Sequence, residues 1–275
     1  MRETGLARHR RVAVAVLAAA FSVLLRAHQA QPAQVLYDDF NDPSHLVRAD
    51  LWNRSPVFTT GGAGSGGTDS LSIIDALLFP TSNPKLLMAK RFVLQPGAAS
   101  GSFDRDAYIM RQAPNAAGIQ ADVTMKLCSL SAPGFIGAYV IFAGFNDGTS
   151  PGPGNSTGDI HALFYVSCTS TNQAAIVWQV IRCTDVACNS SPLLGSGSFG
   201  AANIGQEYNL HVTKSGSSFV FTALGQTQTF PVPGNPAAPP RVLFNGPRTF
   251  ISPTTPANGG EFTVAATFDN VFVDQ

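Results

Sequence analysis

The chain closes on the sequence ATFDNVFVD at residues 266–274. Gly259-Gly260 marks the start of the strand that contains this stretch. The folded part opens, after an apolar leader, on VLYDDFND at residues 35–42, and Leu51-Trp52-Asn53 follows shortly after. These two segments lie at the two ends of the folded region, and the sequence between them has to form the rest of the sheets.

The middle of the chain favours strands over helices. No helical period is present after residue 34, whereas residues 119–127 (IQADVTMKL) alternate apolar and polar side chains, which is typical of a half-buried strand. Residues 207–214 repeat the alternation, and a turn at residues 215–217 leads into a second strand at residues 219–224. This pattern predicts a β-hairpin.

Other segments are apolar at every position or are rich in chain breakers. The uninterrupted apolar runs predict strands in the middle of a sandwich, covered on both faces. They cover residues 138–145, 160–167 and 174–181. The segments rich in Gly and Pro predict turns and loops. They cover residues 59–68, 146–159, 195–197, 231–240 and 247–256.

The segments at the two ends of the folded region resemble the concanavalin A-like lectin/glucanase superfamily. Asp39-Phe40 with Trp52, and Phe268-Asp269-Asn270-Val271, carry the resemblance. It implies an all-β fold, a concanavalin A-like jelly-roll β-sandwich of two antiparallel sheets, in which the first and last strands lie side by side and Trp52 has a structural role. We expect one such domain over residues 35–275, because no repeat or shift in composition divides that region.

The N-terminus has the pattern of a secretion signal. Arginines precede an apolar run at residues 12–25, which is too short to span a bilayer, and small residues follow it. We expect residues 1–30 to be a cleaved signal peptide and the mature chain to be secreted, extracellular or periplasmic, without a further membrane segment. The whole chain has 17 Lys+Arg and 17 Asp+Glu, and the leader holds five Arg and one Glu, which leaves 12 basic and 16 acidic residues. A net charge near −4 does not favour nucleic acid as a partner.

Four cysteines in an exported chain predict two disulfides, with three possible connectivities. We expect the two apolar runs that precede Cys168 and Cys183 to form a hairpin, which would place these cysteines about 30 Å apart. Cys168 could then reach neither Cys183 nor Cys188. The predicted pairs are Cys128–Cys168 and Cys183–Cys188. A meander of the strand at residues 119–127 and the next two strands in one sheet would bring Cys128 and Cys168 to the same end.

The closing motif also nominates a metal site. In the glucanase branch of the superfamily this motif supplies a carboxylate to a structural calcium ion, with backbone carbonyls from the first strand and from a glycine-containing segment. The matching residue is Asp269, with Asp39 as its first-strand neighbour and the segment 61–67 as the source of the carbonyl. Calcium prefers such oxygen ligands. The alternative is that Asp269 caps a turn or pairs with a base.

The glucanase catalytic motif is absent from the sequence. That branch carries E-x-D-x-x-E, whose two carboxyls act as nucleophile and acid/base. Residues 31–275 hold two glutamates, Glu207 and Glu261, and neither has an acidic residue at the required offset. A lyase of the same fold needs Tyr, His, Arg and Gln or Asn on one sheet. The residues of these types are Tyr108, Arg111, Gln120, His161, Tyr165, Gln179 and Arg182.

Sugar binding needs fewer groups than catalysis does. An exposed aromatic ring stacks on the sugar, and neighbouring polar groups bond its hydroxyls. We expect Trp178 and Arg182 on one strand, and His161 and Tyr165 on the next, to line a shallow groove, with Arg111 as a further ligand contact. Core packing is the alternative for Trp178, and a buried sheet position is the alternative for His161.

The sequence thus predicts an exported, lectin-like protein that binds a polysaccharide or glycan and is not catalytic. Two alternatives stay open. One is a polysaccharide-degrading hydrolase or lyase of the same superfamily with a divergent site, and the other is a structural or adhesive surface module. Fold alone does not choose between them.

Overall fold

The computed structural model describes most of the chain beyond its leader. The described residues are 33–41, 47–54, 57–59, 68–74, 84–98, 103–111, 116–146, 157–186, 188, 191–232 and 246–275. Residues 34–275 form one compact unit. The predicted signal peptide at residues 1–30 and the predicted calcium carbonyl at residues 61–67 lie outside the described residues. No helix within the described residues has the length and hydropathy of a membrane span.

The described elements are β-strands, apart from one short 3-10 turn at Pro256–Asn258. The strands are β1 Gln34–Asp38, β2 Trp52–Arg54, β3 Val57–Thr59, β4 Thr68–Ile74, β5 Leu86–Leu94, β6 Phe103–Met110, β7 Gly118–Leu130, β8 Gly134–Asn146, β9 Asp159–Ser170, β10 Gln173–Arg182, β11 Leu193–Ala202, β12 Glu207–Ser215, β13 Ser218–Ala223, β14 Gln226–Pro231, β15 Gly246–Pro253 and β16 Gly260–Asp274.

The strands form two antiparallel sheets. Sheet 1 has the order β14-β13-β12-β7-β16-β5-β4, with β1 also paired to β16. Sheet 2 has the order β11-β10-β9-β8-β15-β6-β2, with β3 also paired to β6. The chain crosses between the sheets repeatedly, and the two sheets enclose one hydrophobic core. This is the jelly-roll β-sandwich of two antiparallel sheets that the residues at the two ends predicted.

The two ends of the chain meet as predicted. Val35 of β1 pairs with Val273 of β16, and Leu36 pairs with Phe272. Strand β16 is central in sheet 1, because it lies between β7 and β5. Its register shifts after Asp269, and Asn270 adopts a left-handed backbone with φ 45°. The closing motif therefore forms a β-bulge, at which an Asn tolerates the positive φ better than most residues do.

Alternation along each strand fills the core. Ile119, Ala121, Val123 and Met125 of β7 are buried, as the alternation predicts. Leu127, the last apolar position of the pattern, is 42% exposed, because the register of β7 against β16 shifts between Met125 and Leu127. The largest fully buried side chains are mostly phenylalanines, contributed by both sheets. Full burial of one such ring contributes about 1.5–3 kcal/mol to folding. The hairpin predicted at residues 207–224 is also present, with Ser215 paired to Ser218.

Two segments predicted to be loops are strands. Residues 246–253 form β15, in the middle of sheet 2, and residues 193–202 form its edge strand β11. Pro247 and Pro253 lie near the two ends of β15, so their missing N–H groups leave the interior of the ladder intact. Positions 195 and 197 of β11 are glycines because a Cβ at 195 would collide with Phe230 of sheet 1, and a Cβ at 197 with Trp178 of β10 and Gln228 of sheet 1.

Both predicted disulfides are present, but one of them forms for a different reason. The Cα atoms of Cys128 and Cys168 are 5.9 Å apart, and those of Cys183 and Cys188 are 4.7 Å apart. The predicted meander is wrong, because β7 lies in sheet 1 whereas β8 and β9 lie in sheet 2. The chain changes sheets between β7 and β8. The Cys128–Cys168 bond therefore connects the two sheets across the core.

Candidate functional site

The outward-facing surface of sheet 2, called the outer face below, has an unusual composition. Strand pairing places Tyr139 opposite Tyr165, and Tyr165 opposite Val177, so odd-numbered residues of β8, β9 and β10 share this face. Arg248 of β15 pairs with Tyr139 and joins them. These strands carry apolar residues on both faces, so the outer face holds a second hydrophobic cluster that is separate from the core.

Aromatic rings form the centre of the outer face. The ring centroids of Tyr139 and Tyr165 are 4.8 Å apart, and Phe135 lies edge-on to Tyr165 at 5.3 Å. Phe250 lies 5.9 Å from Phe135 and stacks on Phe103 at 5.7 Å. The two tyrosines are buried, whereas Phe135, Phe250 and Phe103 are partly exposed. The accessible part of the cluster is thus a row of phenylalanine rings, with the two buried tyrosines beneath it.

Two arginines lie beside these rings. Arg248 is 9% exposed, and Arg105 of β6 pairs with Phe250 on the neighbouring strand. The Nε–H of each guanidinium is buried and has no hydrogen-bond acceptor among the described residues. Burial, and then the Arg105 guanidinium, hold the pKa of Arg248 well below its ordinary value, while Tyr139 opposes the shift. Burial likewise lowers the pKa of Arg105. The face therefore concentrates positive charge, and part of its hydrogen-bonding capacity is unused.

The tyrosines and the histidine of this face are neutral at physiological pH. Burial raises the pKa of Tyr165, and burial followed by Tyr165 raises the pKa of Tyr139 well above its ordinary value. Burial, and then Arg248 and Arg105, lower the pKa of His161 to about 3. The phenols can act as hydrogen-bond donors, and the imidazole does not add to the charge.

The structure brings together only some of the residues that the sequence nominated for ligand binding. His161 and Tyr165 share the outer face, where Gln179 joins them, but they are 5% and 2% exposed. His161 therefore has the buried sheet position that was the alternative to a place in the groove. Of the other lyase candidates, Tyr108 is in the core and Gln120 is in sheet 1.

Trp178 faces the core, so its predicted place in the groove is wrong. It pairs with Phe164, stacks on Phe221 of sheet 1 at 4.7 Å and is 6% exposed. Its indole N–H donates to Gln228 Oε1 at 2.6 Å. Strand alternation places Arg182 on the same side as Trp178, opposite to Tyr165. The two predicted pairs thus lie on two faces of one sheet, because the hairpin register sets Tyr165 against Val177.

Arg111 lies at a corner of the sandwich and not in the ring cluster. It follows the end of β6, and its Nε–H donates to the carbonyl oxygen of Trp52 at 3.0 Å. Its backbone N–H lies 2.8 Å from the carbonyl oxygen of Leu51. The Arg111 side chain therefore makes a structural bond to the start of β2 in place of the predicted ligand contact.

The predicted metal carboxylates have other partners. Asp269 is 1% exposed, and its Oδ2 lies 3.2 Å from the Lys85 ammonium, which also pairs with Glu207. Asp39 Oδ1 accepts a bond from the backbone N–H of Asn41 at 3.1 Å. The ammonium holds the carboxylate oxygen that a cation would need, so these side chains do not fit calcium well. Calcium at Asp269 stays a prediction from the resemblance.

The opening motif has the structural role predicted for Trp52. This residue is buried between Tyr37 at 5.0 Å, edge-on, and Phe40 at 5.9 Å, stacked. Its indole N–H donates to Asp38 Oδ2 at 2.6 Å, and Asp38 Oδ1 accepts the Phe40 backbone N–H at 2.8 Å. Asp38, and not Asp39, is the buried carboxylate of the first strand.

Sequence reasoning missed Tyr139, Arg105 and Arg248. Tyr139 lies in a run read as uniformly apolar, and Arg248 lies in a segment read as a turn because of its prolines. Tyr139 is flanked two residues away by Gly137 and Ile141, so alternation could have placed it on a face. Nothing local to Arg105 or Arg248 indicates which strands become neighbours of β8.

Carboxylates are scarce on the outer face. Among the described side chains of its strands, Asp159, two residues before His161, is the carboxylate on this side of the sheet. Glu207 pairs with Lys85 and Glu261 pairs with Arg91, both in sheet 1. The described part of the face therefore contains no carboxylate pair of the kind that glycoside hydrolysis uses.

The chain is similar to several solved structures of low sequence identity. A laminarinase from Flavobacterium sp. UMI-01 is 11% identical with a TM-score of 0.45, over 89% of this chain and 100% of that chain. The carbohydrate-binding module CBM66 from Bacillus subtilis is 12% identical with a TM-score of 0.36, over 79% and 95%. A family 7 alginate lyase, A1-II′, in complex with its product is 15% identical with a TM-score of 0.43, over 82% and 95%. No protein-family model and no curated protein match the sequence.

Proposed function

We propose that this chain is an exported carbohydrate-binding protein whose outer face binds an anionic polysaccharide without cleaving it. The observation that carries the proposal is the pair Arg105 and Arg248, each with a buried Nε–H that has no acceptor among the described residues. A carboxylate is the acceptor that suits a guanidinium best, since it can take two parallel hydrogen bonds. A uronic acid polymer presents one carboxylate per sugar.

The aromatic cluster supports the same ligand. Phe135 and Phe250 are partly exposed beside the arginines, and they offer flat apolar surface for the carbon face of a pyranose ring. Gln179 of β10 adds an amide on the same face. The tyrosines and the histidine of this face are neutral. The two guanidiniums are therefore the positive charges that act on the ligand.

A uronate lyase on the same face is the second candidate. The observation that favours it is the proximity of Tyr139 to both arginines, since β-elimination needs a neutralised carboxylate and a group that moves a proton. The raised pKa of both tyrosines supports the binding function over the lyase, because a phenol that holds its proton is a poor base.

Binding of alginate and polygalacturonate, with laminarin as the neutral comparison, tests the proposal. We expect the acidic polymers to bind, laminarin to bind weakly or not at all, and added salt to weaken the acidic complexes. Arg105→Ala should raise the Kd about tenfold or more, because it removes a charged hydrogen bond. Arg91→Ala is the matched control, since Arg91 is an exposed arginine of sheet 1 that pairs with Glu261.

The same samples separate binding from cleavage. Release of unsaturated sugar ends, followed by ultraviolet absorbance, would identify the lyase. Equal affinity for laminarin and alginate, or an Arg105→Ala variant with unchanged affinity, would contradict the proposal. No binding to any polymer would favour a structural or adhesive module.

A further inference from the structure

One end of the outer face holds a histidine against a disulfide. Nε2 of His161 lies 3.5 Å from Sγ of Cys183, and Nδ1 lies 4.0 Å from Sγ of Cys188. One ligand atom from each of the three residues lies within 4.8 Å of the other two. Among the described residues, this is the group of three or more His, Cys, Asp or Glu side chains with a spacing that suits a metal ion.

Two rigid strands hold this group in place. His161 lies in β9 and pairs with Ile181 of β10, and Cys183 directly follows β10. The backbone N–H of Cys183 donates to the carbonyl oxygen of Asp159 at 2.8 Å, which extends the pairing by one residue. Cys188 returns to the same place through a short turn, in which its N–H donates to the carbonyl oxygen of Asp185 at 3.2 Å. The position of the three side chains therefore depends on the sheet as well as on the disulfide.

We propose that reduction of the Cys183–Cys188 disulfide turns this group into a zinc site with His161, Cys183 and Cys188 as ligands. Two thiolates and one imidazole are ligands that Zn²⁺ binds well, and three protein ligands leave the fourth tetrahedral position open. The site is independent of glycan binding by the arginines.

The conversion balances with a dithiol or phosphine as the reductant. The reductant breaks the Sγ–Sγ bond and gives two protein thiols, while the reductant itself is oxidised. Zn²⁺ then replaces one proton on each thiol, so two protons are released per ion bound. A small-molecule disulfide reverses the conversion: it takes two electrons from the two thiolates and is reduced to two thiols, while the Sγ–Sγ bond forms again and Zn²⁺ is released.

The surroundings suit both steps. The imidazole of His161 lies beside both sulfurs, which places a nitrogen ligand next to the two sulfur ligands. Cys188 is partly exposed and Val186 beside it is 56% exposed, so a reductant can reach this disulfide from the turn. Cys183 is 1% exposed, which shields the bound ion from water on the sheet side.

The second disulfide provides the internal control. The sulfurs of Cys128 and Cys168 lie near the backbone carbonyl oxygen of Ser170, at 3.6 Å and 3.2 Å. No group of three metal-ligating side chains is found around them among the described residues. Reduction of this bond should therefore create no comparable zinc site.

Cobalt titration of the reduced protein tests the proposal. The Cys128→Ser/Cys168→Ser variant, reduced with a phosphine, should bind one equivalent of Co²⁺, with a thiolate-to-cobalt absorption band that Zn²⁺ abolishes. The oxidised protein should show no such band. His161→Gln in the same background should weaken binding by about tenfold or more, since loss of a ligand costs at least as much as loss of a group that supports one. Cys183→Ser/Cys188→Ser should remove the site.

Mapping of the free thiols makes each outcome decisive. If mass spectrometry after alkylation shows Cys183 and Cys188 reduced and no cobalt band appears, the proposal is wrong. Unchanged affinity in His161→Gln would also overturn it. If the serine pair at positions 128 and 168 prevents folding, as judged by circular dichroism, limited reduction of the wild type gives the same readout. Alkylation then identifies the fraction in which only the Cys183–Cys188 bond is open.

Discussion

A single buried carboxylate, that of Asp38, organises the opening of the chain. Asp38 accepts the indole N–H of Trp52 with one oxygen and the Phe40 backbone N–H with the other. Phe40 has a positive φ of 56°, an uncommon conformation for a bulky residue. The packing of Phe40 on Trp52 and the bond to Asp38 hold it there. These three residues therefore depend on one another for the start of the sandwich.

Replacement of the indole tests this dependence. Trp52→Phe keeps a ring between Tyr37 and Phe40 but removes the donor to Asp38, so we expect a loss of about 1–3 kcal/mol in the free energy of unfolding. Burial raises the pKa of Asp38, and the bond from Trp52 opposes this shift. Without this bond, the pKa of Asp38 should be higher in Trp52→Phe than in the wild type.

The raised pKa fixes the sign of the pH effect. A carboxyl that holds its proton more tightly in the folded state than in the unfolded state loses stability as pH rises through its folded pKa. The difference between Trp52→Phe and wild type should therefore widen from acid to neutral pH in urea unfolding curves. Trp178→Phe is the control, because its indole donates to the neutral Gln228. A constant difference across pH would contradict the role of the charged Asp38.

The predictability of single residues depends on how local their role is. The structural role of Trp52 follows from neighbours within 14 positions in the chain. Trp178 was placed on the wrong face because its direction depends on the register of β9 against β10, and a run that is apolar on both faces carries no signal for that register. Arg248 needs long-range information, since its partner strand β8 lies about 100 residues earlier in the chain.

At the scale of elements, two edge strands close one side of the sandwich. Strand β11 ends sheet 2, and strand β14 ends sheet 1. Gln228 of β14 accepts the indole N–H of Trp178 and donates to the carbonyl oxygen of Ser198 at 2.8 Å. The glycines of β11 allow the two strands to come this close. The sequence predicts a loop at Gly195-Ser196-Gly197, because glycine is common in turns. In the structure these glycines lie in a strand, where neighbouring side chains leave no space for a Cβ atom.

A methyl group at position 197 should therefore destabilise the protein. A Cβ there would lie 2.5 Å from Trp178 Nε1 and 2.6 Å from Gln228 Oε1. We expect Gly197→Ala to break this hydrogen bond and to cost about 1–3 kcal/mol in thermal or urea unfolding. Ser196→Ala, at the exposed position beside it, should stay within about 0.5 kcal/mol of wild type. Equal stability of the two variants would show that the edges are not closed by this contact.

At the scale of the whole molecule, the sequence predicts the layers better than the connections. The ends of the chain carry enough specific residues to indicate that β1 and β16 pair, and alternation identifies β7 and the hairpin β12–β13. The same reasoning cannot predict that the chain changes sheets between β7 and β8, because a short turn can join two strands of one sheet or of two sheets. The disulfide Cys128–Cys168 satisfies both topologies, so its correct prediction does not distinguish them.

Sheet 1 contains a buried carboxylate, Asp269, whose counter-ion connects three strands. Lys85, Asp269 and Glu207 connect the start of β5, the bulge of β16 and the start of β12. Burial works against the charge of Lys85, but its bonds to Glu207 and Asp269 together raise its pKa. Asp269 is 1% exposed and lies against this ammonium, whereas the resemblance implies calcium as the cation at the same carboxylate.

The two counter-ions predict different melting experiments. With Lys85 in this role, Lys85→Met leaves the Asp269 carboxylate buried without its cation, and we expect the free energy of unfolding to fall by about 3 kcal/mol. Arg91→Met is the control, because it breaks an exposed pair with Glu261 that contributes little to stability. With calcium in this role, EGTA lowers the melting temperature of the wild type and Lys85→Met has little effect. The 3.2 Å contact between Lys85 and Asp269 leads us to expect the first result, with a melting temperature that EGTA does not change.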